Sequence, residues 1–160
     1  MDKKGRLPDP SSAEHPDALR VWLRLRTCTQ LIENQIRAGL RDRFGSTLPR
    51  FDFLAQLAGA PDGLKMNELS RRLMVTGGNV TGVTDQLVCE SLVERVAVPG
   101  DRRACRIKLT AKGREQLSEM ASEHEAWVAD AFTGLSTKDI ASLQRLLSRL
   151  SASACPAPRT

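Results

Sequence analysis

Residues 66–73 read MNELSRRL, 74–76 MVT, 77–92 GGNVTGVTDQLVCESL and 93–109 VERVAVPGDRRACRIKL. In the first segment Leu69 and Leu73 are spaced for burial on one helical face, and Ser70, Arg71 and Arg72 are left to face outward. Asn67 is suited to cap that helix. Thr76 is the natural N-cap of the next, its hydroxyl positioned to accept from the backbone N–H of Gly78 or Asn79, and Val80, Val83, Leu87 and Val88 supply its buried face. Two strand-like runs follow, VERVAV and CRIKL, joined by the polar, glycine-containing PGDRRA. Helix, three-residue turn, helix and hairpin is the order of a winged helix-turn-helix, a module that sets its second helix in the DNA major groove.

Charge points the same way. The net charge is +5, and residues 65–115 carry ten Lys/Arg against six Asp/Glu, so four of the five excess charges lie in this stretch. Such an excess suits a polyanion, since each neutralised phosphate releases condensed counterions, although a solubility charge would look the same. Asn79 and Gln86 carry the amide donor–acceptor pair that matches adenine, and the methyls of Thr81 and Thr84 suit a thymine methyl. Gly77 and Gly78 cost helix stability; either backbone must come close to phosphate there, or the helix starts later and the glycines are loop. No Arg or Lys lies on the second helix itself, so affinity is expected from flanking cations. Arg102 and Arg103 are expected at the wing tip, braced by Asp101, either entering the minor groove or forming an ordinary basic turn. The candidate DNA-binding set is Ser70, Arg72, Thr76, Gly77, Gly78, Asn79, Thr81, Thr84, Asp85, Gln86, Arg102 and Arg103.

Outside this module the periodicity is helical. From Pro16 to about Phe44, Trp22, Leu25, Ile32, Ile36 and Leu40 recur at three- and four-residue steps. This helix is longer than a small DNA-binding module needs, and its apolar stripe has to be buried against something. Gly45 ends it. A shorter helix is predicted from about Pro49 to Ala58, with Phe51, Leu54 and Leu57 on its core face and a Pro61-Asp62-Gly63 turn after it. Beyond the hairpin, Thr110 caps a helix carrying Leu117, Met120, His124, Trp127, Ala131 and Leu135. Ser136 begins a last one with Ile140, Leu143, Leu147 and Leu150. Helices from both chain ends therefore converge outside the central module, which predicts a homodimer. The fold class is mainly α with a small β-hairpin wing: residues 49–113 form the winged helix-turn-helix, residues 16–48 and 114–152 a helical dimerisation region, residues 1–15 a disordered arm and residues 153–160 a tail.

Other function classes find little to work with. Two separated histidines, no G-x-S-x-G and no phosphate loop argue against an enzyme. Cys28, Cys89, Cys105 and Cys155 are scattered, so neither a metal nor any other cofactor is expected. The charged N-terminus lacks the apolar core of a signal peptide, and no run of about 18 apolar residues could span a bilayer, so a cytoplasmic location is expected.

NELSRRLMVTGGNVTGVTDQLVCESLVER followed by GDRRACRIKLTAKGR resembles the MarR (multiple-antibiotic-resistance regulator) family of bacterial transcription factors. The likeness rests on the D-R-R wing followed by L-T-x-x-G, over about residues 64–116. The resemblance implies a homodimer on a palindromic double-stranded operator, with base contacts from Thr76 through Gln86 and a wing arginine, Arg102 or Arg103, in the minor groove. It also implies a ligand pocket between the dimer helices and the winged module. Many members carry Arg where this chain has Gly82 and a basic residue near Gln86, and a frequent Gly before the wing is replaced by Ser91. The G-N-V-T-G helix is similar to that of members controlling aromatic-acid catabolism, some of which respond to aroyl- or hydroxycinnamoyl-CoA thioesters. Arg26, Arg37 and Arg41 share a face of the first helix and form either a solvated strip or an anion-binding one. With Trp22 and Phe51 they make up the candidate ligand-binding set. The expected function is a ligand-responsive transcriptional regulator, a repressor released by a small aromatic acid or its CoA thioester. The alternative is a thiol-based redox-sensing regulator acting through Cys28, against which stands the absence of any tyrosine.

Overall fold

The long helix α1, Asp17–Phe44, follows the predicted stripe and stops where Gly45 and Ser46 donate back to the carbonyls of Arg41 and Leu40 at 3.0 and 3.1 Å. The computed structural model describes residues 17–154, the side chains of Arg102 and Arg103 excepted. The expected N-terminal arm and residues 155–160 of the expected tail lie outside the described residues. After α1 come α2 (Leu48–Ala58), β1 (Leu64–Lys65), α3 (Met66–Leu73), α4 (Gly77–Cys89), β2 (Val93–Val98), β3 (Asp101–Leu109), α5 (Ala111–Ala131) and α6 (Thr137–Ala154). This is the mainly helical winged helix-turn-helix with helices added at both ends.

Several local expectations are corrected. The cap of α3 comes from Glu68, whose carboxylate accepts the Lys65 backbone N–H at 2.8 Å, and Asn67 lies inside the first turn. That hydrogen bond, helped by Arg106 and Arg72, holds the Glu68 carboxyl below its usual range. Thr76 does cap α4 by position, but its hydroxyl makes no capping bond. Helix α4 ends at Cys89, because Ser91 takes a left-handed φ of 60° that no helix can continue. The tip of the wing is Pro99-Gly100, and Arg102 and Arg103 already belong to β3. Ser153 and Ala154, expected in the tail, complete α6.

A third strand was not foreseen. β1 pairs antiparallel with β3 through Leu64↔Ile107 and Lys65↔Arg106, giving the order β1-β3-β2. Two residues are too few to display the alternation by which strands are recognised.

The core sits where α2, α3, α4, the sheet and the first half of α5 meet. Leu40, Phe53, Leu54, Leu69, Leu87, Ile107 and Met120 are at most 1 % exposed there. Each such side chain contributes on the order of 1.5–3 kcal/mol of burial. The second half of α1 joins this core through Ile36 and Leu40 and lies against α5 so closely that a Cβ on Gly39 would stand 2.5 Å from the Trp127 ring. By contrast α6 contributes no buried residue, and Ile140, Leu147 and Leu150 on it are exposed.

The L-T-x-x-G sequence acquires a physical meaning at the start of α5. The Thr110 hydroxyl accepts the Gly113 N–H at 2.9 Å, and the Leu92 carbonyl accepts the Thr110 N–H at 3.1 Å. A Cβ on Gly113 would stand 1.9 Å from that same carbonyl oxygen. The Gly113→Ala protein should therefore lose about 1–3 kcal/mol of stability or more, read as a lower urea midpoint at unchanged slope. An unaltered midpoint would show that the junction yields without cost.

Candidate nucleic-acid interface

Helix α4 owes its two faces to its residue spacing. Val80, Thr84 and Leu87, at three- and four-residue steps, are at most 1 % exposed. The opposite face presents Gly77, Gly78, Asn79, Thr81, Gly82, Asp85 and Gln86 to solvent. Thr84, expected among the DNA-binding residues, belongs to the core instead. Its hydroxyl donates to the Val80 carbonyl at 2.7 Å and lies 3.6 Å from the Met66 sulfur. A threonine is nearly isosteric with valine, so a buried one that bonds its own helix carbonyl reads in sequence like a polar surface residue. Thr81 also donates back, to the Gly77 carbonyl at 3.0 Å, but is exposed. Asn79 and Gln86 are both exposed, and both border a cavity of about 420 Å³ between α2 and α4 whose walls include Pro49, Phe53 and Val75.

Asp85 is engaged from the sheet. Its carboxylate accepts from the Arg95 guanidinium of β2 at 2.5 Å, with both side chains largely exposed. This pairing supplies the cation that α4 itself lacks. Arg95 was not singled out in the sequence; it shares a strand face with Val93, which is buried, so strand alternation was the available signal. On the other flank Arg71 and Arg72 are exposed at the C-terminal end of α3, while Ser70 is half-buried and donates to the Asn67 carbonyl at 3.0 Å. Thr76 is exposed at the turn between the helices.

The wing is irregular at its end. The β2–β3 register runs from Val93↔Leu109 to Ala97↔Cys105 and then jumps to Val98↔Asp101, leaving residues 102–104 opposite no β2 residue. Such a bulge turns the backbone out of the ladder. Arg102 and Arg103 lie in it, and their side chains are outside the described residues.

The candidate ligand residues are only partly brought together. Trp22 and Arg26 line one groove on α1, of about 410 Å³, with Leu25, Thr29, Gln30 and Glu33. Arg37 pairs with Glu33 at 2.9 Å and Arg41 with Asp42 at 3.0 Å, so each already has a carboxylate. Phe51 is 7 % exposed and stacks on the His124 ring at 4.8 Å, which makes it core. Its neighbour Asp52 was overlooked: desolvation raises its carboxyl above the usual range, opposed by His124 and Arg37 and reinforced by Glu33. Cys28 and Cys89 are exposed free thiols. No helix among the described residues is long and apolar enough to cross a membrane.

The MarR family model matches residues 44–104, from the end of α1 to the wing. The chain is 29 % identical over 109 residues to an uncharacterized HTH-type transcriptional regulator, YsmB, of Bacillus subtilis (strain 168), covering 68 % of this chain and 74 % of that protein. A MarR family transcriptional regulator from Silicibacter pomeroyi superposes with a TM-score of 0.75 at 28 % identity, over 91 % of this chain and all of the other. A Streptomyces coelicolor MarR family regulator solved in complex with DNA shares the fold at a TM-score of 0.76 and 23 % identity, over 92 % of this chain and 94 % of the other.

The reassignment of Thr84 is testable. Thr84→Val should shift stability by about 1 kcal/mol while leaving the preferred DNA sequence unchanged. Altered base preference at unchanged melting temperature would return Thr84 to the interface.

Proposed function

The chain belongs to the MarR family of DNA-binding transcriptional regulators, and from that membership we propose that it acts as a homodimer reading a palindromic operator and released by a small aromatic acid. The observation that supports the DNA reading is the exposed face of α4, which presents Asn79 and Gln86 and holds Arg95 of β2 through Asp85. Asn79 and Gln86 make the base contacts, with Thr81 contributing its methyl. The N-terminal N–H groups at Gly77 and Gly78 meet phosphate, where the absence of side chains permits close approach. Arg102 or Arg103 enters the minor groove, and Arg72, Arg95, Ser70 and Thr76 hold the backbone.

Dimerisation accounts for the surface that one chain leaves uncovered. Val21 and Leu31 on α1 and Ile140, Leu147 and Leu150 on α6 are all exposed, and a two-fold pairing of residues 16–48 and 114–152 would bury them. The same symmetry sets the two α4 helices about 34 Å apart, one turn of DNA. The winged helix-turn-helix of residues 49–113 thus forms one of two reading heads.

Competition binding against a duplex selected from a random library tests this. Asn79→Ala and Gln86→Ala should each lose about 1–3 kcal/mol of preference for that duplex over a scrambled one. Replacing Arg102 and Arg103 with Ala should weaken both duplexes and flatten the salt slope by up to about two. Wild-type protein that fails to discriminate between the duplexes would remove the reading.

Trp22 and Arg26 support the effector class, since one groove offers an indole face and a guanidinium for an aromatic carboxylate. A hydroxycinnamate or its CoA thioester at about 100 times its dissociation constant should stabilise the fold by about 2.7 kcal/mol in a thermal-shift assay. Arg26→Ala should abolish that gain. A gain unchanged in Arg26→Ala would move the effector elsewhere.

A further inference from the structure

The two ends of α4 are held very differently. At its N-terminus Thr76 supplies no side-chain cap, and a Cβ on Gly77 or Gly78 would meet nothing within 4 Å. At its C-terminus the Glu90 carbonyl accepts from Lys112 Nζ at 2.9 Å, and the Ser91 carbonyl accepts from the Thr110 hydroxyl at 2.7 Å. Both donors come from the segment that begins α5, on the wing side of the helix. From the opposite side the Glu90 carboxylate takes a guanidinium N–H of Arg50, on the first turn of α2 and 40 residues away in sequence.

The Arg50 contact is unlike the other ion pairs on the surface. The Arg50 side chain is only 16 % exposed, against 44 % for Glu90, and its Nε is buried without a hydrogen-bond partner. A desolvated guanidinium with one ionic partner depends on that partner more than an exposed one does. The pair also spans a gap, since Arg50 lines the cavity that separates α2 from α4, with Phe53 on one wall and Val80 on the other. Beneath it Phe53 and Val80 are buried in the core that α4 shares with α2 and α3, and the ion pair adds a second tie between the two helices at the C-terminal end of α4.

Leverage makes that angle matter. A helix of 13 residues is roughly 20 Å long, so a tilt of about 3° about its C-terminus displaces its first turn by about 1 Å. A base-edge hydrogen bond does not survive such a displacement. We propose that the Arg50–Glu90 ion pair is a strut that sets the angle of α4, making Arg50, on the neighbouring helix α2, a positioning residue that determines sequence specificity. The inference rests on the reading of α4 as the recognition helix. Lys112 and Thr110 fix where the helix ends, and Arg50 fixes which way it points.

The test compares Arg50→Gln, Glu90→Gln and the exchanged pair Arg50→Glu/Glu90→Arg with wild type. Each is measured on the selected duplex, on a scrambled duplex and in urea unfolding. The ratio of selected to scrambled affinity should fall about tenfold in each single variant, with scrambled binding nearly unchanged, and the exchanged pair should recover most of it. A merely structural pair would lower the unfolding midpoint and leave the ratio of the folded protein alone, and that result would overturn the proposal. So would an exchanged pair no better than the single variants. If Arg50→Gln does not fold, Glu90→Gln, at the more exposed partner, decides. Asn79→Ala in the same assay separates the two levels: an unchanged ratio there would defeat the reading of α4 itself, whereas a lost ratio with Arg50→Gln at wild-type discrimination would defeat only the strut.

Discussion

One carbonyl oxygen, that of Leu92, ties together the winged helix-turn-helix and the helix that follows it. It accepts the backbone N–H of Thr110 at 3.1 Å and its hydroxyl at 3.2 Å, and it occupies the space a Cβ of Gly113 would need. Leu92 follows the end of α4, Val93 starts β2, Leu109 ends β3 and Ala111 starts α5. Four elements therefore meet within a few residues. A single buried acceptor can organise so much because an unpaired one would be costly, and both donors that satisfy it come from Thr110, 18 residues further along the chain. Helix α4, the wing and α5 are consequently positioned by the same junction.

Against this rigid corner the first turn of α4 is weakly held. Its glycines add no side-chain contacts and its cap makes no side-chain bond, so the first turn is ordered mainly by the turn that precedes it. If this turn meets phosphate as proposed, its bareness permits close approach, at the cost of packing. The cations are correspondingly displaced to neighbours: Arg95 on β2, Arg71 and Arg72 on α3, and Arg102 and Arg103 on the wing. The Asp85–Arg95 pair couples α4, which carries no cation of its own, to one of them at 2.5 Å.

The fold was largely legible in the chain because its helices are long and strongly periodic. Ile32, Ile36 and Leu40 on α1, and Leu117 and Met120 on α5, face the core as their spacing required. Short elements were not legible. β1 has two residues, too few for any period, and Glu68 caps α3 from inside the helix, reaching back to Lys65 where the first polar residue in order had suggested Asn67. The candidate interface divides in the same way. Asn79 and Gln86 lie on the exposed face of α4, as their spacing from Val80 and Leu87 required. Thr84 was misplaced because its spacing from Val80 and Leu87 was outweighed by its hydroxyl, and Arg95 was missed because its partner lies ten residues earlier on another element.

Order and periodicity alone determined that two helices and a hairpin would form a winged helix-turn-helix, that α1 and α6 would carry apolar stripes in excess of what one small domain buries, and that positive charge would gather around the hairpin. These follow from local properties, since helix faces and strand alternation are written in spacings of two to four residues. Only the tertiary structure decided that Thr84 points inward, that Arg37 and Arg41 are already paired, that Phe51 packs on His124, and that Arg50 reaches Glu90 across the cavity. Each of those depends on how elements distant in sequence are brought face to face, and spacing along one element carries no record of its partner.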